Sequence, residues 1–565
     1  MFKPVDSRAS FPEMEKRILQ LWKERDVFRK SIEGRPEDKL YVFYEGPPTA
    51  NARPGVHHVL SRAFKDLFPR YKTMRGYRVP RKAGWDTHGL PVELEVEREL
   101  GLKSKLEIEE FGVEEFNRRC RESVFRYVQE WEALTERIGF WLDMEHPYIT
   151  YDNDYIESVW WIVKQLWDKG LLYLDYRSTP HCPRCGTSLS DGEVALGYRE
   201  DTPDPSIYVK FKLTEQEADP ALRLADSVPT FILAWTTTPW TLPGNTALAV
   251  LPGAQYVLVE VENEGRRERL IYADAPELRS SLEEFLRNNY ERVEEVSRFQ
   301  GEALVGLYYE SLYDPTAWGV QAMWFDPGQD GRLVTVEKGQ AVERAYTVIA
   351  GEFVSLSDGT GVVHVAPAFG GEDFDIGKEL GLLFLQPVDL RGELPEACPW
   401  PGQFVKDADE PIMDELAERG LLLRRDVIRH TYPFCWRCGT PLLYYAKPTW
   451  YIRTTAVKDS LIEGNERVNW YPGHIKRGRF GDWLNNNVDW ALSRERYWGT
   501  PLPIWQCSAC GAQSCIGSRE ELRSSAADPA AVDTLDDLHR PYLDRVELKC
   551  DCGGSMQRLP EVMDG

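Results

Sequence analysis

Eight of the eleven cysteines fall into four close pairs, and this spacing is typical of a structural metal site. The pairs are Cys182 and Cys185, Cys435 and Cys438, Cys507 and Cys510, and Cys550 and Cys552. Four thiolates in a tetrahedron are a usual ligand set of structural zinc. The pairs therefore predict two Zn²⁺ sites of four cysteines each. Reduced, metal-free cysteines are the alternative, and a redox-active CxxC is less favoured because the pairs form a matching set.

The composition is that of a large globular chain. Its 565 residues predict several domains, at about 100–200 residues per domain. Aromatic residues make up 12% of the chain, which excludes wholesale disorder. The sequence has no run of about 20 apolar residues and no apolar signal segment at its start, so we expect no membrane association and a cytoplasmic location. A net charge of −23 excludes strong bulk attraction to nucleic acid but leaves room for local basic patches.

The first ninety residues predict a strand, loop, helix, strand unit. A helical segment over 11–30 precedes strands over 40–44 and 77–82, and a helix begins at Val56. Such a unit predicts a parallel sheet, whose ligands lie beyond the carboxyl ends of the strands. The loops over 46–58 and 84–91 are therefore the candidate binding loops. The spacing of three to four residues predicts a buried stripe on the helix, formed by Val56, Leu60, Phe64, Leu67 and Tyr71.

Further along the chain the pattern changes from helical to β-rich. A spacing of three to four predicts helix for Phe116, Cys120, Val124, Val128 and Trp131. From about 201 to 426, short apolar runs alternate with turn residues, which predicts strands. The cysteine motifs CPRC and CWRC flank this stretch. If they share one zinc ion, the metal closes the neck of an inserted domain.

Five motifs then occur in a fixed order: EGPPTAN, GWDTHGLPVE at 84–93, WTTTPWTLPGN at 235–245, GTGVVHVAPAFGGEDF at 359–374 and SRERYWGTPLPIW at 493–505. Together with the cysteine pairs they resemble the zinc-bearing isoleucyl-tRNA synthetases, a class I family, over nearly the whole chain. The related leucine and valine enzymes differ at GWDTHGLP and WTTTPWTLP. The resemblance implies an α/β fold, with a Rossmann-like catalytic domain, an inserted β-rich editing domain and two zinc knuckles.

The resemblance also implies a division of the chain. Residues 1–39 are expected to form an N-terminal helical segment, and 40–200 the first part of the catalytic domain with half of a zinc knuckle. Residues 201–428 are expected to form the editing domain, and 429–565 the second knuckle and the return to the catalytic domain.

The implied reaction is ATP-dependent activation of L-isoleucine and its transfer to tRNA(Ile), with Mg²⁺ accompanying ATP, by a monomer. Gly46 and Pro47 match the family's apolar wall for the isoleucine side chain. Asp86 matches the carboxylate that pairs with the substrate ammonium, and Trp498 the indole that closes the aliphatic pocket. The alternatives are ordinary structural roles: Pro47 as a turn former, Asp86 as a loop cap and Trp498 as a core residue.

The motif that binds the ATP phosphates departs from the family pattern of His, apolar, Gly, His. Here the first histidine and the glycine have exchanged places, giving Gly55, Val56, His57 and His58. Adjacent helical residues point about 100° apart, so we expect the two imidazoles to diverge. An imidazole at the glycine position is also expected to crowd the adenine. Either the site has rearranged so that His57 meets phosphate, or activation is impaired; retention of both residue types favours a working variant.

The inserted stretch resembles the family's editing domain. Isoleucine and valine differ by one methylene, which an aliphatic pocket separates by only about 150-fold, the value already established for this enzyme family. The matching residues are Thr236, Thr237, Thr238, Asn245, His364 and Asp373. Asp373 is expected to hold the ammonium of mischarged valine, the threonines and Asn245 to hold the terminal adenosine and orient water, and His364 to exclude isoleucine by bulk. The alternative for His364 is a satisfied core histidine.

The family pattern continues beyond the last motif with a lysine-rich KMSKS loop and a helical anticodon-binding domain, and the printed sequence contains neither. We therefore expect this chain to be the N-terminal part of a synthetase or half of a split enzyme, with an unpaired sheet edge and exposed apolar surface. Two other functions compete with isoleucine–tRNA ligase: a stand-alone hydrolase of Val-tRNA(Ile), and a non-catalytic, zinc-stabilised module that binds tRNA or a partner.

Overall fold

The computed structural model describes residues 8–49, 53–214, 216–224, 228–329, 331–337 and 339–563. Residues 50–52 of the EGPPTAN turn therefore lie outside the described residues. The chain divides into a first unit, Met1–Tyr173 with Trp450–Gly565, and a second unit, Leu174–Thr449. The N-terminal part of the first unit contains α1 (Phe11–Glu24), α2 (Val27–Glu33), β1 (Phe43–Tyr44), α3 (Val56–Met74), β2 (Arg81–Trp85), α4 (Leu90–Leu100), α5 (Lys105–Phe111), α6 (Val113–Ser123), α7 (Val128–Arg137), β3 (Asp143–Ile149) and α8 (Asn153–Asp168).

The second unit is entered along β4 (Leu172–Cys182). It contains β5 (Thr187–Ser188), α9 (Asp191–Val194), β6 (Tyr198–Lys212), β7 (Thr230–Thr236), β8 (Ala247–Val250), β9 (Gln255–Asn263), β10 (Arg266–Ala273), α10 (Pro276–Asn289), β11 (Arg292–Gln300), β12 (Met323–Asp326), β13 (Arg332–Thr335), β14 (Thr347–Ala350), β15 (Val362–Val365), α11 (Gly371–Leu380), β16 (Leu383–Phe384), α12 (Val405–Glu418) and β17 (Leu422–Pro433).

The chain returns to the first unit along β18 (Leu443–Ile452). The elements that follow are α13 (Lys458–Arg467), α14 (Arg479–Asn485), β19 (Trp490–Ala491), β20 (Ser493–Arg494), β21 (Thr500–Pro501), β22 (Ile504–Cys507), β23 (Gln513–Cys515), α15 (Arg519–Ser525), α16 (Pro529–Asp533), β24 (Leu548–Lys549), β25 (Ser555–Arg558) and β26 (Val562–Met563). No helix among the described residues is both long and apolar enough to span a membrane.

The parallel sheet predicted for the first unit is confirmed. Its strands lie in the order β1, β2, β3, and both pairs are parallel. The strand bounds differ from the prediction, because β1 is limited to its last two residues and β2 begins only at Arg81. The predicted helix over 11–30 is divided between α1 and α2. The break contains Asp26, whose φ of 51° lies in the left-handed region and cannot continue a helix.

The prediction of a buried stripe on α3 is wrong. Val56, Leu60 and Phe64 are exposed to 87%, 62% and 62%, and Leu67 and Tyr71 are exposed as well. The buried residues of this helix are Arg62, Pro69 and Thr73. Periodicity identifies an apolar face but not what covers it, and α3 packs through a different face. The apolar face of α3 is therefore exposed, and within the described residues β1 and β3 are the edge strands of the sheet.

The β-rich prediction for the second unit is confirmed. Seven strands form a sheet in the order β11, β9, β10, β7, β15, β8, β14, and β6 adds to it by pairing with both β7 and β17. Central strands such as β8 are buried along their whole length, which explains the continuous apolar run in TALAVL. In the first unit the predicted helix around Phe116 and Trp131 is two helices, α6 and α7, and both of these residues are buried.

Candidate active sites and metal centres

The N-terminus of α3 borders a cavity of about 340 Å³ that is also lined by Gly46, immediately after β1. His58, Arg62 and Lys65 line it from the helix side. The Lys65 ammonium donates to Glu45 Oε1 at 2.8 Å and to the Gly46 carbonyl oxygen at 3.2 Å. Helix N-termini and cationic side chains both favour phosphate, so this cavity suits a phosphorylated ligand.

Arg62 is a cation of this cavity that the motif analysis did not identify. Its side chain is buried, its Nη1 donates to Thr135 Oγ1 at 2.7 Å, and its guanidinium lies 5.1 Å from the centre of the Trp131 ring. Burial lowers the pKa of Arg62, while the nearby charge of Glu45 opposes that shift. A buried guanidinium that borders a cavity is a strong recognition group for an anion. The sequence signal that could have identified Arg62 is its position one helical turn after His58 on α3.

The prediction that the imidazoles of His57 and His58 diverge is wrong. Their ring centres lie 3.8 Å apart. The His58 ring folds back and its Nδ1 accepts the amide hydrogen of Gly55 at 2.8 Å, which brings it against its neighbour. A Cβ atom at position 55 would lie 2.8 Å from His57 Cε1, so a larger residue there would displace the exposed His57 ring. The glycine therefore leaves room for the His57 ring in its place beside His58.

The environment of the two histidines differs. His58 lines the cavity, and burial, followed by the charges of His57 and Arg62, lowers its pKa. His57 is exposed and does not line that cavity. The structure therefore brings His58 together with Gly46, while contact of His57 with phosphate stays a prediction.

Asp86 lies in the loop that follows β2. Its amide donates to the Pro48 carbonyl oxygen at 3.2 Å, and its carboxylate accepts from Thr49 Oγ1 at 3.0 Å. These contacts join the loop after β1 to the loop after β2, the two loops that the sequence indicated. Pro47 is half-buried in the first of them. The structure thus brings Pro47 and Asp86 into neighbouring loops at the same end of the sheet.

Trp498 is buried, with 1% of its surface exposed, and is held at both its backbone and its indole. The indole Nε1 donates to the Thr87 carbonyl oxygen at 2.6 Å, and the Trp498 carbonyl oxygen accepts from the Gly89 amide at 3.0 Å. The loop carrying Asp86 and the segment carrying Trp498 are therefore fastened together. The side chain belongs to a core cluster, as in the structural alternative, and its contact with a substrate stays a prediction.

Glu93 is a further residue of this arrangement that sequence reasoning missed. Its Oε1 accepts the amide hydrogens of Tyr497 at 3.0 Å and Trp498 at 2.7 Å, and its carboxylate pairs with Arg496. Burial raises the pKa of this carboxyl, while Arg496 and the two amides favour its charged form. Glu93 closes the motif GWDTHGLPVE, so its place in that motif was the signal.

The two groups of four cysteines are confirmed with the predicted membership. In the second unit the ligand atoms of Cys182, Cys185, Cys435 and Cys438 all lie within 4.8 Å of one another, and in the first unit the same holds for Cys507, Cys510, Cys550 and Cys552. Sulfur atoms around one tetrahedral metal ion are about 3.8 Å apart. The observed distances are 3.5 Å from Cys182 to Cys438 and 3.5 Å from Cys507 to Cys552. Both sets therefore fit a thiolate-bound metal ion.

Glycines shape the knuckles of the second-unit group. Gly186 and Gly439 have φ of 64° and 76°, in the region that favours glycine. Their amides donate to the carbonyl oxygens of Cys182 and Cys435, both at 2.8 Å, rather than to sulfur. Amides of the second cysteine of each pair approach sulfur instead: that of Cys185 lies 3.4 Å from Cys182 Sγ, and that of Cys438 bonds to Cys435.

In the second unit, several predicted editing residues form one buried hydrogen-bonded network. Thr241 Oγ1 donates to the Thr238 carbonyl oxygen at 2.8 Å and lies 2.9 Å from His364 Nε2. Because the Thr241 hydroxyl donates its one hydrogen to the Thr238 carbonyl oxygen, it can only accept from His364, so His364 Nε2 is the donor. His364 Nδ1 is then an acceptor, and it faces Asn245 Nδ2 at 3.5 Å. The ring is neutral, because burial lowers its pKa to about 4.

Thr236 joins this network through Thr238, whose amide donates to Thr236 Oγ1 at 3.1 Å. Asn245 is held by Tyr309, which donates to Asn245 Oδ1 at 2.7 Å. Thr237 is half-buried, and within the described part of the chain its hydroxyl is not joined to the network. Thr241 and Tyr309 were missed by sequence reasoning. Thr241 lies inside the WTTTPWTLPGN motif, whereas no local signal pointed to Tyr309.

Two carboxyl groups, the half-buried Asp373 and the buried Asp409, border the same segments. Asp373 Oδ2 accepts from the Ala366 amide at 2.8 Å, and burial raises the pKa of Asp373 to about 6. Asp409 on α12 accepts from the Trp240 amide at 3.0 Å, and burial raises its pKa to about 7. Asp373 was predicted and Asp409 was not. Asp409 anchors the short 3₁₀ helix Pro239–Gly244 that carries Thr241.

The comparisons with known proteins agree with this architecture. Residues 17–565 match the family model described as tRNA synthetases class I (I, L, M and V). A protein named isoleucine–tRNA ligase from Dehalococcoides mccartyi is 52% identical over 576 residues, which cover 100% of this chain and 54% of the relative. One of the same name from Thermus thermophilus is 48% identical over 570 residues, covering 100% of this chain and 50% of the relative.

A solved LeuRS–tRNA–LeuAMS complex from Agrobacterium radiobacter K84 is 17% identical, with a TM-score of 0.35, and the match covers 97% of this chain and 57% of that chain. The chain spans about half the length of the curated relatives it matches. Because the family model covers nearly the whole sequence, the fold predicted from the motifs is confirmed. The chain belongs to the class I tRNA synthetases of the I, L, M and V group.

Proposed function

We propose that this chain activates L-isoleucine with ATP, as the front part of an isoleucine–tRNA ligase that transfers isoleucine to tRNA(Ile). The observation that carries the proposal is the 52% identity, over the full chain, to a protein named isoleucine–tRNA ligase. The geometry supports it, because the loops after β1 and β2 are fastened together, the Trp498 indole donates to Thr87 in the second loop, and Glu93 on α4 accepts the Trp498 amide hydrogen.

The residues have separate tasks in this proposal. The N-terminus of α3 with His58, Arg62 and Lys65 binds the phosphates of ATP, which arrives with Mg²⁺. Asp86 pairs with the ammonium group of isoleucine, while Gly46, Pro47 and Trp498 border the aliphatic side chain. The isoleucine carboxylate attacks the α-phosphorus and pyrophosphate leaves, so the protein contributes positioning and charge stabilisation. The exposed His57 contacts the phosphates from the solvent side in this proposal.

Isoleucine-dependent exchange of labelled pyrophosphate into ATP tests this proposal. We expect Asp86→Asn to raise the KM for isoleucine about 10- to 100-fold, because it removes a hydrogen bond between charged groups. Asp38→Asn, at an exposed turn of the same unit, is the matched control and should leave the KM unchanged. Absence of exchange with the unmodified chain, or an unchanged KM in Asp86→Asn, would contradict the proposal.

A second candidate function is hydrolysis of Val-tRNA(Ile) by the second unit. The supporting observation is the network of Thr236, Thr238, Asn245 and His364, with Asp373 bonded to the amide of Ala366, two residues after His364. Asp373 holds the valine ammonium in this proposal, and Thr237 faces the terminal adenosine. Deacylation of Val-tRNA(Ile) without pyrophosphate exchange would favour this function alone. Loss of both activities with retained tRNA binding would favour a non-catalytic binding module.

We propose zinc as the ion in both cysteine groups, because a closed set of four thiolates is the usual structural zinc site. Metal analysis of the purified chain should find two zinc ions per chain. The proposed protein works as a monomer in the cytoplasm, and its editing domain corresponds to 201–428 within the second unit. Sedimentation of the purified chain tests the oligomeric state.

A further inference from the structure

Two buried histidines, 451 positions apart in the chain, share a hydrogen bond next to the loop that carries Asp86. His88 Nε2 and His539 Nε2 are 2.8 Å apart, and the two residues are exposed by only 3% and 0%. Asp537 Oδ1 lies 2.6 Å from His539 Nδ1, and its Oδ2 accepts from Arg121 at 2.8 Å. None of Arg121, Asp537 and His539 belongs to the motifs that indicated the active site.

The position of each proton follows from the chemistry of the donors. Two groups face His539 Nδ1: Asp537 Oδ1 at 2.6 Å, which only accepts, and Arg121 Nη2 at 3.2 Å, which only donates. The carboxylate contact is the shorter, and Arg121 already donates to Asp537 Oδ2, so the proton on His539 Nδ1 is assigned to the bond with Asp537. In the neutral ring His539 Nε2 is then an acceptor, and His88 Nε2 must donate to it. Burial lowers the pKa of both imidazoles, which keeps both rings neutral, although Asp537 opposes this for His539. One chain of fixed direction therefore runs from His88 through His539 to Asp537.

The same imidazole supports Trp498. The rings of His539 and Trp498 are stacked, with centres 4.5 Å apart and planes inclined by 12°. The His88 ring meets the indole edge-on at 5.4 Å. His539 thus contacts the Trp498 indole and bonds the His88 ring, and Asp86 lies two residues before His88 in the same loop. A movement of His539 would therefore shift the Trp498 indole and the loop that carries His88 and Asp86.

We infer that His539 and Asp537 are positioning residues of the amino-acid pocket. Asp537 orients the His539 ring, which holds the His88 loop by accepting the hydrogen bond from His88 Nε2 and supports the Trp498 indole by stacking on it. The inference rests on the proposed function, because it assigns isoleucine to the pocket that these groups border. Neither residue contacts the substrate in this account. Their contribution is to keep the loop and the indole in one arrangement before isoleucine arrives, which lowers the cost of ordering on binding.

The first test is spectroscopic. In the 565-residue chain labelled with ¹⁵N-histidine, the nitrogen shifts should show His539 protonated at Nδ1 and His88 protonated at Nε2. His539→Phe keeps an aromatic ring against Trp498 but removes both hydrogen bonds, so His88 should change to a mixture of tautomers. Asp536→Asn, an exposed neighbour, is the control and should leave the His88 signals unchanged. Protonation of His539 at Nε2 instead would overturn the inference.

The second test is L-isoleucine binding to the same chain by calorimetry. His539→Phe should bind about 10- to 100-fold more weakly, the range for loss of buried hydrogen bonds that include a charged group. His539→Gln offers an amide oxygen to His88 and should recover most of the affinity. Equal affinity of His539→Phe and the unmodified chain would overturn the inference. If the unmodified chain binds no isoleucine, the proposed function fails, and the histidine signals alone then decide the inference.

Discussion

Replacement of Thr241 by valine removes one hydroxyl from the buried network of the second unit and keeps the shape of the side chain. The change deletes the acceptor for His364 Nε2, 2.9 Å away, and the donor to the Thr238 carbonyl oxygen, 2.8 Å away. His364 is left with a buried N–H that has lost its partner. Such an unsatisfied buried group costs about 1–3 kcal/mol, and the extra apolar contact of valine returns less than about 1 kcal/mol.

We therefore expect Thr241→Val to lower the local opening free energy by about 1–3 kcal/mol, which corresponds to roughly 5- to 150-fold faster amide exchange. The reporter is the Thr246 amide, which donates to the Val365 carbonyl oxygen at 3.0 Å and so joins β15 to the segment before β8. Hydrogen exchange resolved on peptides is the appropriate assay, because a chain of two units does not unfold in a single transition.

Thr241→Ser is the matched control, since it keeps the hydroxyl and loses one methyl group. It should lower the local opening free energy by about 0.8 kcal/mol or less. The rate of Val-tRNA(Ile) hydrolysis should fall with Thr241→Val and persist with Thr241→Ser. If both variants exchange the Thr246 amide at the same rate, the assignment of His364 as donor to Thr241 is refuted.

Three other sites yield predictions of their own. Burial raises the pKa of Asp409 from the ordinary value of 3.8 to about 7, so between these pH values the folded chain holds a proton that the unfolded chain releases. The free energy of unfolding of the second unit should therefore fall as pH rises from 3.8 to about 7. Asp409→Asn should flatten this pH dependence in denaturant melts, and an unchanged pH dependence would contradict the raised pKa. Gly55→Ala places a methyl group 2.8 Å from His57 Cε1 and should weaken ATP binding in a filter assay, whereas Gly253→Ala, which meets no neighbour, should not. Removal of metal by a chelator, or Cys435→Ser, should speed proteolysis of β17 and β18, and equal digestion of the treated and untreated chains would argue against a structural metal there.

The helix α3 shows which features of the first unit are local and which are long-range. It begins where the sequence predicts it, because its start is determined by the residues of one or two turns. Its apolar stripe was predicted to be buried and is exposed, because coverage depends on what packs against the helix. The contact between the His57 and His58 rings was also not predictable, since it depends on the His58 side chain accepting the Gly55 amide.

The sequence alone determined the four cysteine pairs, the order of the motifs and, through them, the family, while the alternation of apolar runs and turn residues determined the β-rich character of the second unit. These signals depend on residue type and spacing, which can be read from the sequence itself. Only the tertiary structure identified Glu93 as the acceptor for the Trp498 amide, Asp409 as the anchor of the Thr241 segment, and His539 as the partner of His88. These contacts join residues far apart in the chain, and a buried polar group is satisfied by whichever donor or acceptor the fold brings to it.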